Sequence, residues 1–161
     1  MYQGNYNCVA RHGEAELLPL LRTLILAFYA YSPIAGGFLV RTVDEMTNGS
    51  EGRWDKNSQV GGMYHKLYNR PSLMQALAES EHIAQDAAVP KAAFAYRWMA
   101  YHSALKLEFG DGIIVGASRP TQLEQTLAAL EDGPLDEKTV TRIEHIWEMV
   151  KDEAPIDNFN S

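Results

Sequence analysis

Three short, mostly apolar segments alternate with helical patterns along this chain, and this alternation limits the possible folds most strongly. Residues 25–31 and 112–116 have the composition of buried strands, and residues 1–6 are short, aromatic and extended in character. Apolar strands separated by helices are typical of a parallel sheet with covered faces. The sequence therefore predicts an α/β fold with a parallel sheet, of which only three strands can be found.

Apolar residues at helical spacing lie between these segments. Helices are predicted before Leu24, around Leu77 and from Pro90 onward. Residues 41–69 are rich in glycine and polar side chains, so they are predicted to form a long loop. Loops of that length in compact domains are usually functional or disordered.

Two further helices are predicted after residue 116. In the first, Thr121 and Glu124 have the spacing of a capping box. Its buried face is predicted to consist of three leucines, Leu123, Leu127 and Leu130. The last helix is predicted to begin near Asp136.

The composition is that of a soluble globular protein, with 46% apolar and 22% charged residues. A formal net charge of −7 argues against affinity for nucleic acid or anionic membranes. Cys8 is the only cysteine, which excludes an internal disulfide and favours a reducing compartment. No apolar run has the roughly 18 residues of a membrane span, and the N-terminus lacks a secretory pattern, so a cytoplasmic location is predicted.

The turn after the second apolar segment is the strongest candidate for a binding site. Ligands of parallel α/β folds bind at the carboxyl ends of strands, where an aromatic ring can stack on a flat group and glycine admits a pyrophosphate. An ordinary turn beside a core tyrosine would show the same spacing, so both interpretations stay open. The turn runs through Tyr31, Ser32, Pro33, Ile34, Ala35, Gly36 and Gly37.

A second candidate is the junction between the last apolar segment and the helix after it. Free N–H groups and the dipole at a helix N-terminus favour an anion. Ser118 and Arg119 add a hydroxyl and a fixed positive charge, which suit a phosphate monoester. A capped helix with an exposed arginine explains the pattern equally well.

These segments in combination resemble successive parts of an aldo-keto reductase. Residues 2–7 (YQGNYN), 29–37 (YAYSPIAGG) and 116–125 (GASRPTQLEQ) follow the order and approximate spacing of that family. Residues 52–54 (GRW) and 96–99 (YRWM) resemble its aflatoxin-aldehyde reductase branch. The resemblance covers nearly the whole chain, so residues 1–161 are expected to be the C-terminal part of an NADP-dependent oxidoreductase domain.

The resemblance implies a partial TIM (β/α)8 barrel made of the last three strands with their helices. Such a piece alone is expected to be an open parallel sheet, whose two unpaired edges a partner chain could cover. It also implies NADP(H) as cofactor and a small carbonyl compound as substrate. Weak or no cofactor binding is expected for this chain alone, because it supplies one wall of the groove.

The resemblance also implies roles for individual residues. Gln3 would contact the nicotinamide carboxamide, Tyr31 would stack on the nicotinamide ring, and residues 32–37 with Arg41 would follow the pyrophosphate. Arg53 would meet the substrate, in the loop that also contains Trp54. The adenosine end and its 2′-phosphate would be held by Ser118, Arg119, Gln122 and Gln125.

This chain departs from the family pattern at two places. The family usually has glycine where Ile25 stands, and a carboxylate followed by asparagine near Gln125 and Thr126. The catalytic Asp, Tyr, Lys and His of the family lie on its first four strands, and no residue here matches any of them. No catalytic residue and no metal ligand are therefore assigned in this chain.

Three interpretations follow from the resemblance. The chain is a truncated piece of an aldehyde or ketone reductase that is inactive alone, or a non-catalytic NADP(H)-binding or regulatory module that acts with a partner chain. In the third interpretation, it works as an enzyme with another subunit that supplies the catalytic half.

Overall fold

A computed structural model describes residues 1–48 and 52–157 of the chain. Three parallel strands form one sheet in the order β1-β2-β3, with β1 at Tyr2–Asn5, β2 at Phe28–Tyr31 and β3 at Gly112–Ile113. The predicted parallel sheet is confirmed, although β3 is shorter than the apolar run that indicated it. Each connection crosses over through helices, as parallel pairing requires.

Seven α-helices lie in the described part of the chain. They are α1 Leu17–Thr23, α2 Val43–Asn48, α3 Gln59–Tyr68, α4 Pro71–Asp86, α5 Lys91–Tyr101, α6 Pro120–Glu131 and α7 Glu137–Val150. Short 3-10 helices add His12–Glu14, Ala35–Val40, Gly52–Trp54 and Leu107–Phe109. Among these described residues, no helix is both long and apolar enough to cross a membrane.

The helices cover one face of the sheet and leave the other partly open, since Gln3 is exposed there but the side-chain amide of Asn5 is buried. Phe28 and Ala30 point into the core, with exposed fractions of 1% and 0%. Strand side chains alternate between faces, so Tyr29 and Tyr31 point to the open face. The register pairs Gln3 with Tyr29 and Asn5 with Tyr31, so these four side chains share that face.

The prediction of a long loop over residues 41–69 is wrong, because α2, a 3-10 turn and α3 lie there. Ser58 caps α3 by accepting a hydrogen bond from the Gly61 backbone N–H at 2.9 Å. Tyr64, Leu67 and Tyr68 then form a buried stripe at helical spacing. The glycines and polar residues around this short stripe concealed it in the sequence.

The predicted start and buried face of α6 are also wrong. The helix begins at Pro120 with Arg119 as the N-cap, and no side chain caps it, so Thr121 and Glu124 form no capping box. Two of the three predicted leucines point outward, with 41% of Leu123 and 51% of Leu127 exposed, and Leu130 is partly buried. The helix packs on α5 through its small residues instead, and its buried residues are Thr126 and Ala129.

Asp111 joins the segment before β3 to the rest of the sheet. Its carboxylate accepts two hydrogen bonds from Arg22 at 2.9 and 2.5 Å. It also accepts the backbone N–H groups of Phe28 at 2.9 Å and Lys106 at 2.8 Å. With 1% of its side chain exposed, Asp111 links α1, β2 and β3 at the amino ends of the strands.

The turn between α1 and β2 carries an unusual backbone conformation at Ile25. The Ile25 N–H donates to the Arg22 carbonyl and the Leu26 N–H to the Leu21 carbonyl, both near 3 Å, which is the hydrogen bonding of a Schellman motif. The motif places Ile25 in the left-handed region, at φ +55°. Glycine normally takes this position, which explains why the family pattern has glycine here.

Replacing Ile25 by glycine is expected to stabilise the chain by about 1 kcal/mol. Left-handed backbone costs a β-branched residue about 1–2 kcal/mol, and the greater entropy of glycine in the unfolded chain offsets part of that gain. Little packing is lost, because 94% of Ile25 is exposed. Chemical denaturation of both proteins measures the difference.

Ala88 provides a matched control for this prediction. It occupies the equivalent position after α4, at φ +52°, with the same pair of backbone hydrogen bonds. Alanine has no β-branch, so Ala88→Gly is expected to gain only a few tenths of a kcal/mol. An equal or smaller gain for Ile25→Gly would contradict the strain assigned to Ile25.

Candidate functional site

The turn after β2 contains four residues with positive φ. Ser32 has φ +57° and Ala35 has φ +53°, and Gly36 and Gly37 follow at +65° and +101°. The Ala35 N–H donates to the Ser32 carbonyl at 2.8 Å, and the Gly37 N–H donates to the Ile34 carbonyl at 2.9 Å. The chain therefore turns sharply at the carboxyl end of β2 and continues as the Ala35–Val40 3-10 segment, which is kinked at Gly36 and Gly37 where the backbone is not helical.

Side chains from distant segments hold this turn. The Asn7 side chain, just after β1, donates from Nδ2 to the Ser32 carbonyl at 3.0 Å. The Trp54 indole donates from Nε1 to the Gly36 carbonyl at 3.1 Å. A Cβ on Gly36 would lie 2.2 Å from Cε1 of Tyr64, so only glycine fits against that ring.

The structure separates the two residues that the resemblance assigns to the substrate. Arg53 is exposed, whereas 1% of Trp54 is exposed. The Trp54 ring packs among Phe38, Tyr64 and Tyr68, with centroid distances of 6.2, 5.2 and 5.9 Å. Trp54 thus packs the segment between α2 and α3 against the turn. Its contact with a substrate stays a prediction.

Arg41 lies at the end of the same turn. Its guanidinium is 5.5 Å from the centre of the Trp54 ring, within cation–π range. The Lys91 ammonium donates to the Arg41 carbonyl at 2.7 Å and pairs with Glu81 at 3.1 Å. These contacts connect the turn to α4 and α5.

The second predicted segment lies at the start of α6. Ser118 donates from its backbone N–H and its hydroxyl to Oε1 of Gln122, at 3.0 and 2.9 Å. Arg119, Gln122 and Gln125 are exposed. The polar side chains that the resemblance assigns to a phosphate therefore face solvent at one end of this helix.

A cavity of about 620 Å3 lies between these two segments. The turn after β2 contributes Ile34 and Val40, and the β3–α6 segment contributes Gly116, Gln122 and Gln125. The α5 side is mostly apolar, and further lining residues are Pro90, Ala92, Ala93, Tyr96, Thr126, Ala128, Ala129 and Asp132. Segments about 80 positions apart in the chain thus form the walls of one cavity.

Tyr96 connects α5 to the cavity wall. Burial raises the pKa of its hydroxyl, and a hydrogen bond with the Gly116 backbone opposes that shift. Tyr96 and Gly116 both line the cavity, so α5 and the segment after β3 meet there. The space where a Gly116 side chain would project is open, so a ligand can approach the backbone there.

Gln3 and Tyr31 lie apart from this cavity, on the open face of the sheet. Gln3 is exposed and Tyr31 is partly buried. Gln3 pairs with Tyr29 in the register, which makes Tyr31 its diagonal neighbour on the adjacent strand. The Gln3 side chain is therefore close enough to contact a flat ring that stacks on Tyr31.

Asn7, Tyr64 and Tyr96 support the site but were not singled out from the sequence. Asn7 lies within the YQGNYN motif, where its position after a strand was the available signal. Tyr64 lies in the segment that was predicted to be a loop. Tyr96 lies on a helix with an apolar stripe, and this stripe gave no indication of a role for the Tyr96 hydroxyl. Each acts through a backbone group that only the tertiary structure brings near.

Comparison with known proteins agrees with this arrangement. Residues 1–148 match the model of the aldo/keto reductase family. The chain belongs to this family. The prediction from the sequence is thereby confirmed, and the three strands are part of the family's (β/α)8 barrel.

Several curated aldo/keto reductases and related enzymes are similar to this chain. Oxidoreductase sirO of Leptosphaeria maculans is 44% identical over 155 residues, which are 96% of this chain and 47% of that protein. Aflatoxin B1 aldehyde reductase member 2 of Rattus norvegicus is 39% identical over 162 residues, 96% of this chain and 44% of that protein. Aldo-keto reductase pigE of Monascus ruber is 32% identical over 155 residues, 94% of this chain and 45% of that protein.

The chain spans about half the length of these curated relatives. The similarity to aflatoxin B1 aldehyde reductases also confirms the predicted branch. The part of an aldo/keto reductase that these residues represent includes both segments that line the cavity.

Proposed function

We propose that this chain supplies the NADP(H)-binding part of a carbonyl reductase, and that residues 1–161 alone do not reduce carbonyl compounds. One observation carries the proposal: the two segments that resemble the family's cofactor-binding motifs line one cavity. When bound, the cofactor supplies the hydride that reduces an aldehyde or ketone. The residues of this chain bind and orient it.

The walls of the cavity fit the adenosine end of a dinucleotide. Ala93 and the Tyr96 ring provide apolar surface for a flat base, and the amides of Gln122 and Gln125 provide hydrogen-bonding groups. Ser118 and Arg119 lie beside the rim at the start of α6 and would hold a 2′-phosphate. The pyrophosphate would follow residues 32–37 to Arg41.

The nicotinamide end would lie on the open face of the sheet. There Tyr31 would stack on the ring and Gln3 would bind the carboxamide. Arg53 would meet the carbonyl substrate, with Trp54 behind it. No residue of the chain matches the acid that gives a proton to the carbonyl oxygen, which supports inactivity of the chain alone.

Arg119→Ala is expected to remove the preference of the chain for NADPH over NADH. A charge-assisted bond to phosphate contributes about 1.5 kcal/mol, or roughly tenfold in affinity. Binding by the unaltered chain is expected to be weaker than micromolar, so titration calorimetry with millimolar cofactor is the measurement. The two cofactors differ only in the 2′-phosphate, which isolates the role of Arg119.

Lys138→Ala is the matched control, because it removes an exposed cation from α7. It should leave the preference unchanged. Equal binding of NADPH and NADH by the unaltered chain would contradict the phosphate site. Micromolar binding of NADPH, or turnover of a simple aldehyde by the purified chain, would contradict the weak binding and the inactivity proposed here.

The open sheet supports a second candidate, an NADP(H)-binding or regulatory module that acts with a partner chain. Within the described residues, the sheet ends at β1 and β3 and has one partly uncovered face. Large side chains at these places are exposed, with values of 44% for Tyr2 and 36% for Tyr29 and Ile114. Light scattering and thermal unfolding of the purified chain distinguish the candidates. A chain that is monomeric and unfolds cooperatively would argue against the partner-dependent module.

A further inference from the structure

Asn7 occupies a fixed position between the ends of β1 and β2. Its side chain is fully buried. Oδ1 accepts the Val9 backbone N–H at 3.1 Å, and Nδ2 donates to the Ser32 carbonyl at 3.0 Å. Its own backbone N–H and carbonyl both pair with Ala10, at 3.3 and 3.1 Å. The amide orientation is therefore determined, because one end needs an acceptor and the other a donor.

Ser32 is the residue that this contact holds. It has φ +57°, a conformation that costs a residue with a side chain roughly 1 kcal/mol and persists only where the surroundings impose it. Its carbonyl accepts two hydrogen bonds, from Asn7 Nδ2 and from the Ala35 N–H. The Ala35 bond is local, whereas the Asn7 bond connects this carbonyl to the segment that follows β1.

We propose that Asn7 is a positioning residue that holds the Ser32 peptide, and with it the turn at residues 32–37, in the conformation that receives the cofactor. The inference rests on the proposed function. Ser32 stands between the Tyr31 ring and the glycine turn, so rotation of its peptide would redirect both. Asn7 itself is assigned no contact with the cofactor, so it acts through Ser32.

The first test is amide hydrogen exchange in two variants of the full chain. Asn7→Asp keeps an oxygen that accepts the Val9 N–H but removes the NH2 group that donates to Ser32. Asn7→Ser has a side chain too short to contact the Ser32 carbonyl. We expect exchange of the Ala35 and Gly37 amides to rise roughly fivefold, as loss of one hydrogen bond implies. Amides in the middle of α7 should keep their protection.

Ser103→Ala is the matched control for these variants. Ser103 is also buried, donates from Oγ to the Met99 carbonyl at 2.6 Å and accepts the Leu105 N–H at 3.2 Å. It should change exchange near residue 105 and leave the turn unaffected. Unchanged exchange of Ala35 in both Asn7 variants, or an equal rise in the control, would overturn the inference.

A second measurement uses the unaltered chain, so it does not depend on how the variants fold. In a titration with millimolar NADP⁺, the Asn7 side-chain amide resonances should shift together with the backbone amides of residues 32–37. Shifts in the turn without a response of Asn7 would overturn the positioning role. If no resonance shifts, the proposed cofactor function fails, while the exchange experiment still decides whether Asn7 holds the turn.

Discussion

Replacing Asp111 by asparagine is expected to lower the free energy of unfolding by about 3 kcal/mol, because it breaks a buried ion pair from one side. Asparagine has one acceptor oxygen where the carboxylate has two. Its NH2 group would face donors that now bind the second oxygen, and Arg22 would lose its counter-charge. Urea denaturation of the variant and the unaltered chain measures the loss.

Glu108→Gln is the control for this change. Glu108 lies three residues earlier in the same segment and is exposed, so the substitution removes an identical charge without a buried partner. Its effect is expected to stay within about 0.5 kcal/mol. A similarly small effect of Asp111→Asn would show that the link between α1, β2 and β3 contributes little.

The same link predicts a pH dependence. Burial opposes ionisation of Asp111, but the hydrogen bonds from Arg22 and from the Lys106 and Phe28 N–H groups outweigh it, and they hold the pKa below its ordinary value of 3.8. A lowered carboxyl pKa stabilises the fold above the unfolded pKa, and this contribution is lost as pH falls through the folded pKa. The stability difference between the two proteins should therefore be constant near neutral pH and shrink below about pH 4.

Replacing Gly36 by alanine is expected to destabilise the chain by about 3 kcal/mol and to weaken cofactor binding further. Left-handed backbone at φ +65° costs alanine about 1 kcal/mol, and overpacking against Tyr64 costs about 2 kcal/mol more. The Tyr64 ring cannot move aside easily, because it is buried between Trp54 and Tyr68. Thermal or chemical unfolding tests the change.

Gly133→Ala separates the two contributions. Gly133 also has positive φ, at +76°, and no atom lies within 4 Å of the Cβ it would gain. It should therefore show the backbone cost alone, about 1 kcal/mol less any gain from restricting the unfolded chain. Equal losses for the two variants would mean that the Tyr64 ring does not close against Gly36.

The errors of the sequence-based predictions have a common physical origin. The Thr121–Glu124 capping box failed because Pro120, one residue earlier, suits the first turn of a helix as it stands. The leucine face of α6 failed because helical spacing marks an apolar stripe without showing which neighbour covers it. Small residues at Thr126 and Ala129 allowed closer packing on α5.

The candidate site was predictable where residues are adjacent in the chain. Gly36 and Gly37, the YQGNYN motif and the Ser118–Arg119 pair are local patterns, and the family match agrees with their order. Asn7 and Asp111 were missed because Asn7 binds the Ser32 backbone 25 residues away and Asp111 binds the Phe28 backbone 83 residues away. No local pattern contains a contact of that kind.

The sequence by itself determined the alternation of strands and helices, the parallel sheet and the family, because these depend on periodicity and on short motifs. Only the tertiary structure decided that the 41–69 segment packs over the glycine turn, that Trp54 is buried, and that the turn after β2 and the start of α6 enclose one cavity. The reason is physical. Burial and hydrogen bonding between distant segments depend on which surfaces pack together. That packing involves the whole chain and cannot be read from any local sequence pattern.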